Sequence, residues 1–245
     1  MVNITITNKS DFTENEQRLL EAIQQGDDIS SLIKQDDIDI KRQNIQTDVA
    51  PQPDSFIHYA ARCGNHDAIG VLCALGVNVN ATNQNGSTAV MLAAEEGHEQ
   101  SIRTLKELGA DVNASMPDGW TAVMIAAQNG HEQSIRTLKE LGADVNATKQ
   151  GGWTAVLIAA HDGHEQSLRT LTELGVDVKN ASLPDGSTAV MIAANQGNGP
   201  IISFLVSEGV DETYRTHPLM VSMLFLLYQL DRNYMKENKG MKRKL

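Results

Sequence analysis

Four histidines occupy the positions where metal chemistry would be sought first. His98, His131 and His164 recur at one spacing, and His66 precedes them by one layer. Imidazole is a common zinc ligand, and each of the last three is followed by a glutamate, yet His98-Glu99 lacks the second histidine of H-E-x-x-H. A zinc ion needs nitrogens at about 2.0–2.1 Å. Packed helices lie about 8–10 Å apart, so equivalent residues of successive layers cannot converge on one ion. The histidines therefore read as polar residues that start a helix and bond local backbone.

The other reactive side chains reduce in the same way. Glu107, Glu140 and Glu173 repeat in register, and a residue copied into every layer serves the layer, whereas a catalytic site needs unlike residues converging from different elements. Phosphate-binding and serine-nucleophile glycine motifs are absent. Cys63 and Cys73 are too few for a disulfide framework and read as reduced core thiols. No catalytic residue, metal ligand or cofactor is expected. The pattern N-x-[ST] occurs at Asn80, Asn113, Asn146 and Asn180, all at one repeat position; with no signal peptide evident, glycosylation is not expected. A formal charge of −11 argues against a nucleic-acid partner. The longest apolar stretch, Leu219 to Leu230, is too short to span a bilayer. A cytoplasmic monomer is the expectation.

The elements that hold these residues are copies of one another. Gly97 to Ala114 reads GHEQSIRTLKELGADVNA, and Gly130 to Ala147 is the same string. From Gly163 it recurs with one residue inserted near Lys179. A second block precedes each copy: GSTAVMLAAEE from Gly86, GWTAVMIAAQN from Gly119, GWTAVLIAAHD from Gly152 and GSTAVMIAANQ from Gly186. Thr88 to Glu96 is predicted as a short helix with Val90, Ala93 and Ala94 on one side, ended by Gly97. Glu99 to Leu108 is predicted as a second helix with Ile102, Leu105 and Leu108 on one face. Asp111, Val112 and Asn113 then extend outward into a turn. Helices this short are marginal alone, so adjoining units must bury each other's apolar stripes.

The run G-x-T-A-V-M-x-A-A-x-x-G-H…L-x-x-L-G-A-D-V-N-A resembles the ankyrin repeat. The resemblance implies an all-α solenoid of helix-turn-helix units with hairpin-like turns, capped at both ends. Its T-P-L-H corner is replaced here by Thr88-Ala-Val-Met91 or Thr154-Ala-Val-Leu157. The layout expected is a flexible stretch 1–13, a degenerate capping repeat with an extended loop 14–51, and repeats 52–81, 82–114, 115–147, 148–181 and 182–213. A C-terminal capping helix 214–235 and a basic tail 236–245 follow. The resemblance also implies an asparaginyl hydroxylase acting at Asn113 and Asn146, which mass spectrometry would register as one added oxygen.

Positions constant across layers hold the fold, and positions that vary are open to recognition. On the family pattern these are the turns and the ends of the first helices. Trp120 and Trp153 share one repeat position in adjacent layers and should lie side by side on the turn face, either as a recognition hot spot or packed on the turn stems. Met116, Lys149, Gln128, Asn129, His161, Asp162, Glu95 and Glu96 complete the expected surface. The resemblance implies a non-catalytic module that binds a partner protein on this concave face. Two variants of that reading are an inhibitor of a partner enzyme and an effector that a bacterium secretes into a host cytosol. The second is suggested by the near-identical repeats and by the tail, where six Lys or Arg stand against two acids from Asp231 to Leu245.

Overall fold

The computed structural model describes residues 12–30, 32–33, 43–45 and 54–210. The expected N-terminal stretch before Phe12, most of the extended loop, the capping helix 214–235 and the tail 236–245 lie outside the described residues. Eleven helices are present among those described. A first helix, α1 (Glu14–Gln25), precedes five helix pairs. The pairs are α2 (Phe56–Cys63) with α3 (His66–Ala74), α4 (Ala89–Glu96) with α5 (Glu99–Glu107), α6 (Ala122–Gln128) with α7 (Glu132–Glu140), α8 (Ala155–Asp162) with α9 (Glu165–Glu173), and α10 (Ala189–Asn195) with α11 (Gly199–Ser207). β1 (Gln43–Ile45), within the span expected to be loop, pairs antiparallel with β2 (Asp54–Ser55) at the start of the next repeat.

The first helices stack on one another in one layer and the second helices in a second layer. Thr88, Thr121, Thr154 and Thr188 cap the first helices, their hydroxyls 3.4–3.5 Å from the backbone N–H three residues on. The expectation of one buried side for α4 is corrected: Ala89 to Ala94 are all 0–2% exposed. α4 lies between α2 and α6 and against its own partner α5, so its first six residues have no face left for solvent. The alanine pair at its centre lets the backbones approach closely.

The second helices are amphipathic, but their buried stripe differs from the one expected. Ile102 and Leu105 are fully buried, whereas Leu108 is 39% exposed. Steps of three residues fall about 60° short of a turn each time, so the third member has drifted off the face. In the segment after α5 side chains alternate: Asp111 and Asn113 are exposed as expected, whereas Ala110 and Val112 are each 2% exposed. Ser101, Ser134 and Ser167 lie in the buried stripe with hydroxyls that have no hydrogen-bond partner. Such a hydroxyl costs about 1–3 kcal/mol. Ser134→Ala is accordingly expected to raise stability by about 1 kcal/mol, and chemical denaturation showing a loss instead would refute this account of the site.

Layers are tied together by the histidines, and here the expectation of a local bond is corrected. His98 Nε2 bonds the Arg62 carbonyl and His131 Nε2 bonds the Glu95 carbonyl, each at 2.9 Å and each in the preceding layer. In the last layer Asn198 replaces histidine and reaches the Ala160 carbonyl. This tie crowds the glycines that follow α2, α4 and α6. Gly97 has φ +78°, and a Cβ there would stand 2.7 Å from His131 Nδ1. Left-handed backbone alone costs a non-glycine residue roughly 1–2 kcal/mol. Gly97→Ala adds to that the displacement of the imidazole from its carbonyl, so its loss in thermal or denaturant stability is expected to exceed that figure; a loss below it means His131 gives way freely.

Asn80 and Asn113 form a second relay. Asn113 Nδ2 donates to the Gly142 carbonyl at 3.1 Å and its Oδ1 accepts from the Asp144 N–H at 2.8 Å. Asn80 does the same to Gly109 and Asp111. Asn146 makes no corresponding bridge among the described contacts. At that step the inserted Lys179 reshapes the turn, and Asn180 folds back onto the Asp177 carboxylate at 2.6 Å. Of the two asparagines expected to be hydroxylated, Asn113 thus has both side-chain polar atoms engaged and Asn146 does not.

Candidate recognition surface

The turns that precede the first helices, with the ends of those helices, form the face on which the expected residues lie. In three of the layers the turn closes through an isolated bridge onto the capping residue, as between Ser115 and Thr121. The turn before α8 is built differently: Gly151 and Gly152 both have φ +80°, and Gln150 N–H donates to the Asp118 carbonyl of the turn before at 3.0 Å. The turns that carry Trp120 and Trp153 are therefore bonded directly to each other.

The tryptophans are half-buried and packed against the core. Each has a polar neighbour rather than the other indole. Lys149 Nζ lies over the Trp120 ring, 4.8 Å from its centroid. The His161 ring meets Trp153 edge-on at 5.6 Å, and His161 Nδ1 pairs with the exposed Asp162 at 2.6 Å. A cation over an indole and an edge-on aromatic pair both fix ring orientation. Trp120, Met116, Gln128, Arg62, Glu95 and the half-buried Ile125 line a groove of about 270 Å³. Asn129 closes α6, donating from Nδ2 to the Ile125 carbonyl at 2.9 Å.

Glu95 and Glu96 do not stand free. Arg62, 6% exposed, donates from Nε to Asp54 at 2.9 Å and from Nη1 to Glu95 at 2.8 Å, with Glu96 at 3.5 Å. Asp54 is fully buried and also accepts from Asn83 Nδ2 at 2.9 Å. Burial, and behind it the neighbouring Glu95, holds the Glu96 carboxyl above the usual range. Beside this network His58 spans from Ser55 to the Ala81 carbonyl at 3.0 Å, and burial pushes its pKa down, favouring the neutral ring. His58 stands where the later layers have Met91, Met124, Leu157 and Met191.

Sequence reasoning missed Arg62 and Asp54. The available signal was the alignment of layers: Arg62 falls in the same column as Glu95, Gln128 and His161, and Asp54 in the column of Trp120 and Trp153. Opposite charges in one column of adjacent layers point to a bridge. The thiols are unsuited to nucleophilic chemistry: burial raises the Cys63 pKa to about 12 and also raises that of Cys73. Among the described residues no group of His, Cys, Asp or Glu gathers as a metal site, and no helix is long and apolar enough to cross a membrane.

No curated protein matches the chain at a significant level. The family model of ankyrin repeats, in three copies, matches residues 19–116 and 113–182. Those spans take in more than half of the chain, and within them lie the later part of α1 and the helix pairs from α2–α3 to α8–α9. The chain belongs to the ankyrin-repeat family.

Proposed function

We propose that the chain is a non-catalytic recognition module that holds a protein partner on its turn and first-helix face, centred on Trp120 and Trp153. Ankyrin repeats generally serve as protein–protein interaction modules. The observation that carries the finer reading is the groove between the second and third layers, where Trp120, held under Lys149, borders the half-buried Ile125. An oriented aromatic beside a half-buried apolar side chain and polar neighbours is what binding hot spots are made of. Trp153 with His161 and Asp162 extends the same face by one layer. The test is paired substitution of both tryptophans by alanine, with the affinity of a purified partner read beside the stability of the fold.

A further inference from the structure

On the outer helices, arginines couple one layer to the next. Arg103 Nη2 lies 3.3 Å from Thr137 Oγ1 and 2.6 Å from Glu140 Oε2. Arg136 repeats the contact with Thr170 and Glu173. Beneath these arginines Thr137 is 4% exposed and Thr170 is fully buried. The ladder ends where its acceptors end. In the column of Thr170 and Glu173, the last layer has Phe204 and Ser207, so Arg169 turns back to Glu165 and lies 4.2 Å over the Phe204 ring.

At the other end the arginine itself is missing. Gly70 of α3 occupies the column of Arg103 and Arg136. Its two acceptors are nevertheless in place: Thr104 and Glu107 are the counterparts of Thr137 and Glu140. Neither makes a side-chain hydrogen bond or ion pair among the described contacts, and Thr104 is half-buried rather than covered. A cavity of about 680 Å³ opens at this place, lined by Gly70, Val71, Thr104, His66, Asp27 and Asp67; Glu107 is outside its lining, three residues on from Thr104 along α5. A Cβ at Gly70 would meet nothing within 4 Å.

We propose that this cavity is a site for an arginine side chain of a partner protein. The repeats themselves supply the template, since the next two steps of the ladder show which group Thr104 and Glu107 are arranged to receive. A guanidinium presents a planar fork of donors that can serve a hydroxyl and a carboxylate together, and the carboxylates of Asp27 and Asp67 in the lining favour its approach. An ammonium offers a point charge without that fork. The site lies on the second-helix layer, away from Trp120 and Trp153, so its success or failure is independent of the recognition surface above.

The experiment titrates the full chain with an end-blocked glycine-arginine-glycine peptide and with its lysine counterpart, followed by amide NMR shifts. The arginine peptide is expected to move the signals of Gly70, Val71 and Thr104 and to bind several-fold more tightly than the lysine peptide. Glu107→Gln should weaken it about 3-fold or more, because charge-assisted bonds are roughly twice as strong as neutral ones. Gly70→Arg should abolish it, since the new side chain fills the site, whereas Glu173→Gln, at the far end of the arginine ladder, should leave it intact. Equal binding of the two peptides, no shift at Thr104, or undiminished binding by the Gly70→Arg variant would each overturn the proposal.

Discussion

Replacement of Arg62 by alanine is expected to lower the stability of the fold by about 3–5 kcal/mol, the cost of breaking a buried ion pair from one side. The reason lies in Asp54 rather than in Arg62. The Asp54 carboxylate is fully buried and holds only Asn83 once the guanidinium is gone. An uncompensated charge must then be hydrated by opening β2 and the start of α2. Glu95 and Glu96 would also be left adjacent without the cation between them. The damage should be local, because each layer of a solenoid contacts only its neighbours. Hydrogen exchange should accelerate first in α1, α2 and α3, with α8 and α9 little changed. The double variant Arg62→Met with Asp54→Leu should recover most of the loss, since apolar groups of similar volume replace a buried pair at little net cost. An Arg62→Ala protein within about 1 kcal/mol of the wild type would mean that Asp54 is hydrated already, and the buried network would be refuted.

The helix pairs were legible because their determinants are local and copied. Thr88, the alanine pair and Gly97 state a start, a close packing and a stop within ten residues, and four layers repeat the statement. What spans layers was less legible. His98 shows in sequence as the residue before a helix, but its Nε2 bonds a carbonyl 36 residues earlier. A single copy contains no trace of which neighbour it serves. Leu108 was misassigned because spacing by three approximates a helical face over two members and fails over three. Arg62 and Asp54 were obscure because they lie in the most divergent layer, where departures from the repeat look like decay. Compared column by column, the departures are paired: Arg62 bonds Glu95, Asp54 bonds Asn83, and Gly70 shares a cavity with Thr104. The tryptophans share a repeat position that is plain in the sequence, but the contacts of Lys149 with Trp120 and of His161 with Trp153 are not.

Truncating Trp120 and Trp153 together is expected to weaken partner binding by at least about 100-fold. A hot-spot aromatic contributes about 2 kcal/mol or more on truncation, which is roughly 30-fold for one residue, and two neighbours combine less than additively. The difficulty is that both rings also pack on the core, so the double variant loses stability as well as contact area. A fully buried tryptophan would cost about 3–5 kcal/mol, and these half-buried ones should each cost less. Leu171→Ala separates the two effects. Leu171 is fully buried in α9, on the layer away from the tryptophans, and its truncation should cost about 2–5 kcal/mol without altering the turn face. If loss of stability alone weakened binding, that variant would weaken it too. Lys149→Glu makes the complementary change: it removes the cation over Trp120 and leaves the core untouched, so binding should fall about tenfold while the melting temperature barely moves. Unchanged affinity in the double tryptophan variant, with its helices still folded, would remove the turn face from consideration.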